Sequence, residues 1–250
     1  MSGGVGPACD ITLPKDELHE PHLPPAAAAK NKLPPPPPPR FLTFRQLNAL
    51  AVVIVLSASG MVALEDSAFV LFSILYIYFI AKVAFPSTST SPHPDLPLFT
   101  NKNTLLTLHT SLGSIIGLFL PIAYIFEGIY EGDKEGIKAA APHVFLLASQ
   151  VFMEGVSYWA GYSIPIRVLV PVVYNGMRMF SILEWVRSEV TKEVGVGYGG
   201  GGRRLYVGRG LAVANMAFWS FNLFGFLLPF CLPKAFKMYY GKDSNSKFKD

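Results

Sequence analysis

Cysteine, histidine and charge are all scarce in this sequence, and each scarcity argues against a class of protein. Among 250 residues there are 2 cysteines and 5 histidines, and 15% of the residues are charged, against about 25% in an average soluble domain. The two cysteines, Cys9 and Cys231, form neither a disulfide framework nor a paired metal-binding motif. The sequence therefore predicts no metal site, and it argues against a soluble domain.

Catalytic motifs are missing as well. The chain contains no G-x-S-x-G nucleophile elbow, no HExxH zinc motif, no Walker loop and no kinase signature. His109 and His143 lie near predicted helix starts, and His19 and His22 lie in the N-terminal tail, where they are poor ligands alone. We predict no catalytic residue and no cofactor, and the sequence favours a non-enzymatic protein.

Apolar residues, by contrast, make up 51% of the chain, with 19 Phe and 11 Tyr. Runs of about 20 apolar residues are typical of transmembrane helices, and aromatic residues are enriched where such helices meet the lipid headgroups. We predict an all-α fold, a polytopic transmembrane helix bundle of about six helices with disordered termini, embedded in a lipid bilayer. Within the transmembrane helical domain, residues 43–240, the predicted segments are 47–64, 68–85, 105–126, 142–162, 165–187 and 211–232.

The regions outside these segments are polar or rich in proline and glycine. Residues 1–42 form a predicted disordered tail, in which Pro34–Pro39 must adopt a polyproline II helix. This stretch is either a stiff spacer or, together with Arg40, a ligand for a polyproline-binding domain of the SH3 type. Residues 194–210 are predicted to be a flexible glycine-rich linker, and residues 241–250 a basic C-terminal tail.

The net charge of +4 comes mostly from basic residues in the tails and loops. Such residues report membrane topology or contact with anionic lipid, and they are not interleaved with aromatic residues as on a base-stacking surface. Nucleic-acid binding is therefore not expected. Basic residues near the first segment predict a cytosolic N-terminus in a multi-pass integral membrane protein of undetermined organelle, and the acidic connection 127–136 fits the opposite side.

Glycines and prolines mark where the predicted helices approach one another or bend. Gly113 and Gly117 form a small-xxx-small pattern, which allows another helix to pack closely. Pro121 predicts a kink one turn later, and Pro165 and Pro171 predict breaks in the fifth segment. That segment either spans the membrane or is re-entrant, and we prefer the model with six spans.

Four polar side chains are predicted to lie at one depth inside the fourth and fifth segments: Gln150, Glu154, Asn175 and Arg178. If these segments are antiparallel around a turn near Ser163, a rise of about 1.5 Å per residue makes Gln150 and Arg178 level within about 2 Å. A charge at mid-bilayer costs about 3 kcal/mol on insertion scales. Glu154 and Arg178 therefore need partners or a watery cavity.

Two hypotheses remain open for this polar layer. In the first, it is a structural clamp in which Glu154 pairs with Arg178 and the two amides complete the hydrogen bonds. In the second, it lines a cavity that binds a ligand or conducts a proton or an ion. The sequence favours the clamp.

Two blocks carry a resemblance to a known family: FRQLNALAVVIVLSASGMVALEDSAFVLFSILYIYFIAKVAFP and PHVFLLASQVFMEGVSYWAGYSIPIRVLVPVVYNGMRMFSILEWVR. They resemble a plant-specific family of small multi-pass membrane proteins catalogued as a domain of unknown function. The resemblance covers roughly residues 41 to 240. It implies a multi-pass plant membrane protein and transfers no activity and no functional residues.

Three function classes follow, in order of preference. The first is a non-enzymatic membrane scaffold or partner subunit, bound to another membrane protein or to a second copy of itself. The alternative is a small transporter or channel with a polar cavity at Glu154 and Arg178. The third is a lipid-modifying enzyme, which needs clustered His, Asp or Ser near one membrane interface.

Overall fold

The structure is a computed structural model, and it describes residues 44–58, 60–87, 104–192 and 202–246. These residues form eight α-helices and no strand, which confirms the all-α prediction: α1 (Phe44–Ala58), α2 (Leu64–Val83), α3 (Thr104–Ser114), α4 (Leu120–Glu131), α5 (Lys134–Trp159), α6 (Ile164–Thr191), α7 (Arg203–Ser220) and α8 (Leu232–Ser246). A π-helical segment π1 (Ile115–Phe119) joins α3 to α4, and π2 (Phe221–Cys231) joins α7 to α8. The predicted tail with Pro34–Pro39, His19, His22 and Cys9 lies outside the described residues.

Five continuous helices are long and apolar enough to cross a membrane: Leu64–Val83, Thr107–Glu131, Lys134–Trp159, Ile164–Thr191 and Arg203–Gly241. The first predicted segment, 47–64, is the exception. Helix α1 has 15 residues, hence a length of about 22 Å, which is shorter than the roughly 30 Å of a hydrocarbon core. The chain turns at Gly60, whose φ of 66° suits glycine, so the apolar run does not continue as one helix.

The helices around the α5–α6 connection begin earlier and run longer than predicted. Helix α5 starts at Lys134 instead of residue 142, because the Asp133 side chain caps it by accepting the Gly136 N–H at 2.8 Å. Pro142 therefore lies inside the helix. Helix α6 has Pro165 in its first turn and continues through Pro171 to Thr191, so the predicted break at Pro171 is wrong. Whether this helix spans the membrane or is re-entrant stays a prediction.

The predicted linker 194–210 and basic tail 241–250 are also partly helical. Helix α7 begins at Arg203, and α8 continues to Ser246. The glycines of the linker suggested flexibility, but Arg204 and Arg209 bind groups on neighbouring helices and fix this part of the chain. The linker prediction is therefore wrong from Arg203 onward.

Helices α5 and α6 are antiparallel neighbours, joined by a turn in which Gly161 has a φ of 66°. At this end of the bundle, called the Gly161 end, the Ser163 hydroxyl donates to the Phe85 carbonyl oxygen at 2.9 Å. Tyr239 of α8 donates to the Pro86 carbonyl oxygen at 3.1 Å. The opposite end, called the Asp133 end, contains the α4–α5 connection, the end of α6 and the start of α7.

The irregular segment π1 explains where Gly113 and Gly117 lie. A Cβ atom on Gly117 would lie 2.5 Å from Cζ2 of Trp219, so this face of the helix packs against α7 inside the same chain. Pro121 has no N–H to donate to the Gly117 carbonyl oxygen, and His143 Nε2 donates to it instead at 2.9 Å. The predicted kink at Pro121 is thus a π turn that a buried histidine completes.

Candidate functional site

The four residues of the predicted polar layer form two pairs, one on each helix. On α5, Gln150 Nε2 donates to Glu154 Oε1 at 2.8 Å. On α6, Arg178 Nη2 donates to Asn175 Oδ1 at 3.0 Å. The two pairs are near enough for Glu154 and Arg178 to interact electrostatically. Whether the four act as one layer stays a prediction.

Arg178 is held by an aromatic ring and an amide. Its side chain is fully buried, and the guanidinium carbon lies 3.9 Å from the centroid of the Trp219 ring, a cation–π contact. Asn175 in turn donates to the Trp219 carbonyl oxygen at 3.4 Å. The Nε and Nη1 atoms of Arg178 have no hydrogen-bonding partner among the described residues. Arg178 is therefore anchored to α7 through Trp219.

The helix ends indicate how deep Glu154 and Arg178 lie along their helices. Glu154 lies 5 residues before the end of α5, and Arg178 lies 14 residues after the start of α6. At 1.5 Å per residue, this places Arg178 near the middle of its helix and Glu154 about 13 Å nearer the Gly161 end. The sequence-based prediction started the fourth segment at Pro142, which placed Glu154 near the middle of that segment.

Glu154 and Gln150 line a half-open cavity of about 630 Å³ between helices from across the bundle. Most of its wall is apolar. Its polar and titratable lining residues are Asn48, His109, Thr110, Ser114, Gln150, Glu154 and Asn222. The sequence-based alternative was a polar, hydrated cavity at Glu154 as the sign of a transporter or channel, and that alternative stays a prediction.

The wall opposite Glu154 is built by α3 and π2. His109 Nε2 donates to Asn222 Oδ1 at 2.9 Å, and the imidazole stacks on Phe218 with ring centroids 5.0 Å apart. Phe226, in π2, lies 5.6 Å from the same imidazole between centroids. His109, which the sequence places near a helix start, is part of the cavity wall.

A second cavity, of about 330 Å³, adjoins the first on the side of the Gly161 end. Glu154 and Pro171 line both cavities. The second cavity also contains Arg167, whose guanidinium carbon lies 5.1 Å from the centroid of the Tyr158 ring. Glu154 therefore lies between a mostly apolar cavity with aromatic walls and one that contains the cation of Arg167.

A separate cluster of buried charges lies at the Asp133 end. Arg204 Nε lies 3.0 Å from Asp133 Oδ2 and 3.5 Å from Glu131 Oε2. Lys192 Nζ lies 3.6 Å from Asp133 Oδ2 and 2.9 Å from Glu189 Oε1. The cluster joins the α4–α5 connection, the end of α6 and the start of α7, so it ties three helix ends together.

Two further side chains, Tyr124 and Arg209, contact this cluster. Tyr124 Oη donates to Glu189 Oε1 at 2.7 Å. Arg209 donates to the main-chain oxygens of Glu189 at 2.9 Å and Lys192 at 2.6 Å, which caps the C-terminus of α6. A side chain at position 208 would clash with this cluster, since a Cβ atom on Gly208 would lie 2.6 Å from Glu189 Oε2.

Sequence reasoning missed the ion cluster because it assigned one half to a loop and the other to a linker. The available signal was charge complementarity between the acidic connection 127–136 and the arginines at 203, 204 and 209. Placing those arginines in a flexible linker hid that signal.

The electrostatics of the cluster favour a charged Asp133. Burial alone would raise the pKa of this carboxyl group, but the Gly136 N–H bond, Arg204 and Lys192 hold the pKa below its ordinary value. Asp133 thus remains an anion beside two cations, in the connection between two candidate spans.

A family model describing a domain of unknown function, DUF7733, matches residues 42–240. The chain belongs to the DUF7733 family. No curated protein and no solved structure gives a match. The matched range of this DUF7733 chain includes both cavities and the ion cluster.

No group of three or more His, Cys, Asp or Glu side chains that could hold a metal ion occurs among the described residues of the DUF7733 chain. Cys231 is buried, as expected, and lines the smaller cavity.

Proposed function

We propose that this DUF7733 protein binds a small, largely apolar molecule inside the membrane, in the cavity at Glu154. The observation that carries the proposal is the cavity itself, about 630 Å³ with a mostly apolar wall and a few polar groups. Ligand sites in proteins typically occupy about 300–1,000 Å³ and have this composition. Such a site serves a small transporter or a ligand-binding membrane subunit.

The helical irregularities of the bundle support a functional site at this position. Phe119 of π1 and Asn222 and Phe226 of π2 all line the cavity. π-Helical turns occur frequently at functional sites, because they reorient side chains that a regular helix would point elsewhere. Pro171, which also lines the cavity, removes one main-chain hydrogen bond from α6.

The scaffold hypothesis loses the support of the small-residue face, but the exposed surface of another helix now favours it. The small-residue face at Gly113 and Gly117 packs against α7 of the same chain, so it does not serve a partner. Helix α2, however, exposes a broad aromatic surface that includes Phe72, Tyr76 and Phe79. A membrane protein partner or a second copy of the chain packing on α2 is therefore the second candidate function.

We also propose that the Gly161 end of the DUF7733 domain, which includes α8, faces the cytosol, in a multi-pass protein whose family is restricted to plants. With five spans the N-terminus would then lie on the opposite side, so a cytosolic N-terminus requires α1 to cross the membrane as well. This orientation places Arg203, Arg204 and Arg209, at the Asp133 end, on the non-cytosolic side. The positive-inside rule disfavours that placement, because cytosolic loops carry an excess of Lys and Arg. In the structure Arg203 pairs with Glu127 at 3.2 Å and Arg204 with Asp133. Neutralised arginines are weaker topological signals than the lysines near the Gly161 end.

Quenching of tryptophan fluorescence by a brominated apolar compound tests the proposed function. Trp219 lines the cavity, whereas Trp159 is exposed and Trp185 is fully buried. In the Trp159→Phe variant in lipid nanodiscs, para-bromotoluene should quench Trp219 saturably, leaving the Trp185 signal as a baseline.

A cavity-filling variant provides the matched control. Val151 lines the cavity, so Val151→Phe should abolish saturable quenching, whereas Val190→Phe on the exposed surface of α6 should leave it unchanged. Quenching that never saturates, or that is the same in Val151→Phe, would show that no binding cavity exists. The α2 candidate predicts disulfide cross-linking between copies or partners through a cysteine at Phe72 but not at position 190.

A further inference from the structure

We infer that the ligand of the Glu154 cavity is an uncharged molecule with one hydroxyl group on an apolar body, an inference that rests on the proposed function. The hydroxyl donates its hydrogen to the side-chain oxygen of Gln150. This side chain lines the cavity and is only 6% exposed. Its Oε1 atom has no hydrogen-bonding partner among the described residues, and a buried acceptor in that state is stabilised by a donor that reaches it.

The orientation of the Gln150 amide is set by its neighbour on α5. Gln150 Nε2 donates to Glu154 Oε1 at 2.8 Å. An ionised carboxylate accepts hydrogen bonds and donates none, so the nitrogen of the amide faces Glu154 and the oxygen is left over. At this position the cavity wall therefore presents an acceptor that lacks a donor.

Polar groups on the α3 and π2 walls bond within the protein. His109 Nε2 donates to Asn222 Oδ1 at 2.9 Å, and Ser114 Oγ donates to the Thr110 carbonyl oxygen at 2.9 Å. Of the described side chains that line this cavity, Gln150 is the one with a fully buried polar atom that has no hydrogen-bonding partner. A ligand therefore gains most by placing a donor at Gln150.

The charge of Glu154 is compensated inside the protein, so the ligand has no charge to neutralise. The Gln150 amide donates to this carboxylate, and Arg178 attracts it from α6. A cationic ligand would compete with Arg178, and an anionic ligand would be repelled by Glu154. Since most of the wall is apolar, burying a further charge there is unfavourable.

A hydroxyl is the neutral group that matches a single acceptor with the least polar surface, because it supplies one O–H donor. A primary amide would bring two donors and a carbonyl oxygen, and those without partners would be buried against the apolar wall. Phe119, Phe218 and Phe226 line the cavity and suit an aryl or alkyl body. The ligand class is thus an alcohol or a phenol with a mainly apolar surface.

The test compares two brominated probes that differ in one donor, para-bromophenethyl alcohol and its methyl ether, in the Trp219 quenching assay. The preference for the alcohol over the ether should be about tenfold greater with Gln150 intact than in Gln150→Leu, because leucine offers no acceptor. The ether, which cannot donate, should bind saturably in both proteins. Because both are measured in the same lipid, differences in membrane partitioning cancel in the comparison.

Two further variants complete the test. Gln150→Met keeps the length of the side chain without its amide and should lose the preference as Gln150→Leu does. Ser149→Ala is the matched control, because Ser149 Oγ is also buried on α5 without a hydrogen-bonding partner among the described residues but does not line the cavity. Its preference for the alcohol should equal that of the protein with Gln150 intact.

The outcomes separate the inference from the proposed function. An unchanged preference in both Gln150 variants, or an equal loss in Ser149→Ala, would overturn the inference and leave the proposed function intact. Tighter saturable binding of para-bromophenethylamine or para-bromophenylacetate than of the alcohol would do the same. Absence of saturable quenching by every probe would overturn both.

Discussion

Arg204 Nε lies 3.0 Å from Asp133 Oδ2, and both side chains are buried where three helix ends meet. This ion pair joins the cap of α5 to the first turn of α7. Removing one partner of a buried pair leaves an uncompensated charge, which costs about 3–5 kcal/mol. The pair therefore holds the Asp133 end of the bundle together.

The first prediction concerns this pair. Arg204→Gln should lower the free energy of unfolding in detergent by about 3 kcal/mol or more, measured by denaturant titration. Arg187→Gln is the matched control, because its pair with Glu184 is exposed, with side-chain exposures of 64% and 71%. The control should change stability by less than about 0.5 kcal/mol. Equal effects of the two substitutions would show that the buried cluster contributes nothing.

The second prediction is an acid-sensitive stability. Because the pKa of Asp133 is lower in the folded protein than in the unfolded chain, its charge stabilises the fold above about pH 4, and this stabilisation is lost as pH falls through the folded-state pKa. Thermal unfolding measured between about pH 7 and about pH 3 should show a decline that is shallower in Asp133→Asn. Parallel curves for the two proteins would contradict the prediction.

The third prediction compares Gly117, where a Cβ atom has no room, with Gly176, where it has open space. Gly117→Ala places a Cβ 2.5 Å from Trp219 and 3.1 Å from Leu147, so it should destabilise the protein by about 1–3 kcal/mol through overpacking. Gly176→Ala meets nothing within 4 Å and should stabilise α6 by about 0.5–1 kcal/mol. Thermal unfolding of the two variants measures both effects. A stabilising Gly117→Ala would mean that α3 and α7 do not pack as described.

The fourth prediction distinguishes the cavity from the clamp. Arg178→Gln removes the contact with Trp219 and should destabilise the protein strongly, whereas Glu154→Gln, in the cavity wall, should have a small effect. The double mutant should then be about as unstable as Arg178→Gln alone. A double mutant that recovers most of the lost stability would support the clamp instead.

The sequence was sufficient for the helical class and for most of the helices, because long apolar runs have few alternatives. It misplaced the start of α5, since Pro142 resembles a first-turn proline while the true cap is Asp133, nine residues before the predicted start at residue 142. The position of Glu154 along α5 was therefore misjudged.

The candidate site was predictable only in part, for a physical reason. Polar residues inside apolar segments stand out in sequence, which is how Gln150, Glu154, Asn175 and Arg178 were found. Their partners are set by tertiary packing: Arg178 meets Trp219 and His109 meets Asn222 across more than 40 residues of chain. The cavity and the ion cluster depend on such pairs, and one sequence alone does not specify them.

The most direct test of the central claim, that Glu154 lines a binding cavity, is the reactivity of single cysteines with a membrane-impermeant thiol reagent. In a background without Cys9 and Cys231, cysteines at 150 and 154 should be labelled in the folded protein. Cysteines at 175 and 178 should be protected, because both native side chains are fully buried, and one at lipid-facing Phe79 should also stay unlabelled. Protection at all four sites would mean a dry, packed layer and would contradict the proposed function.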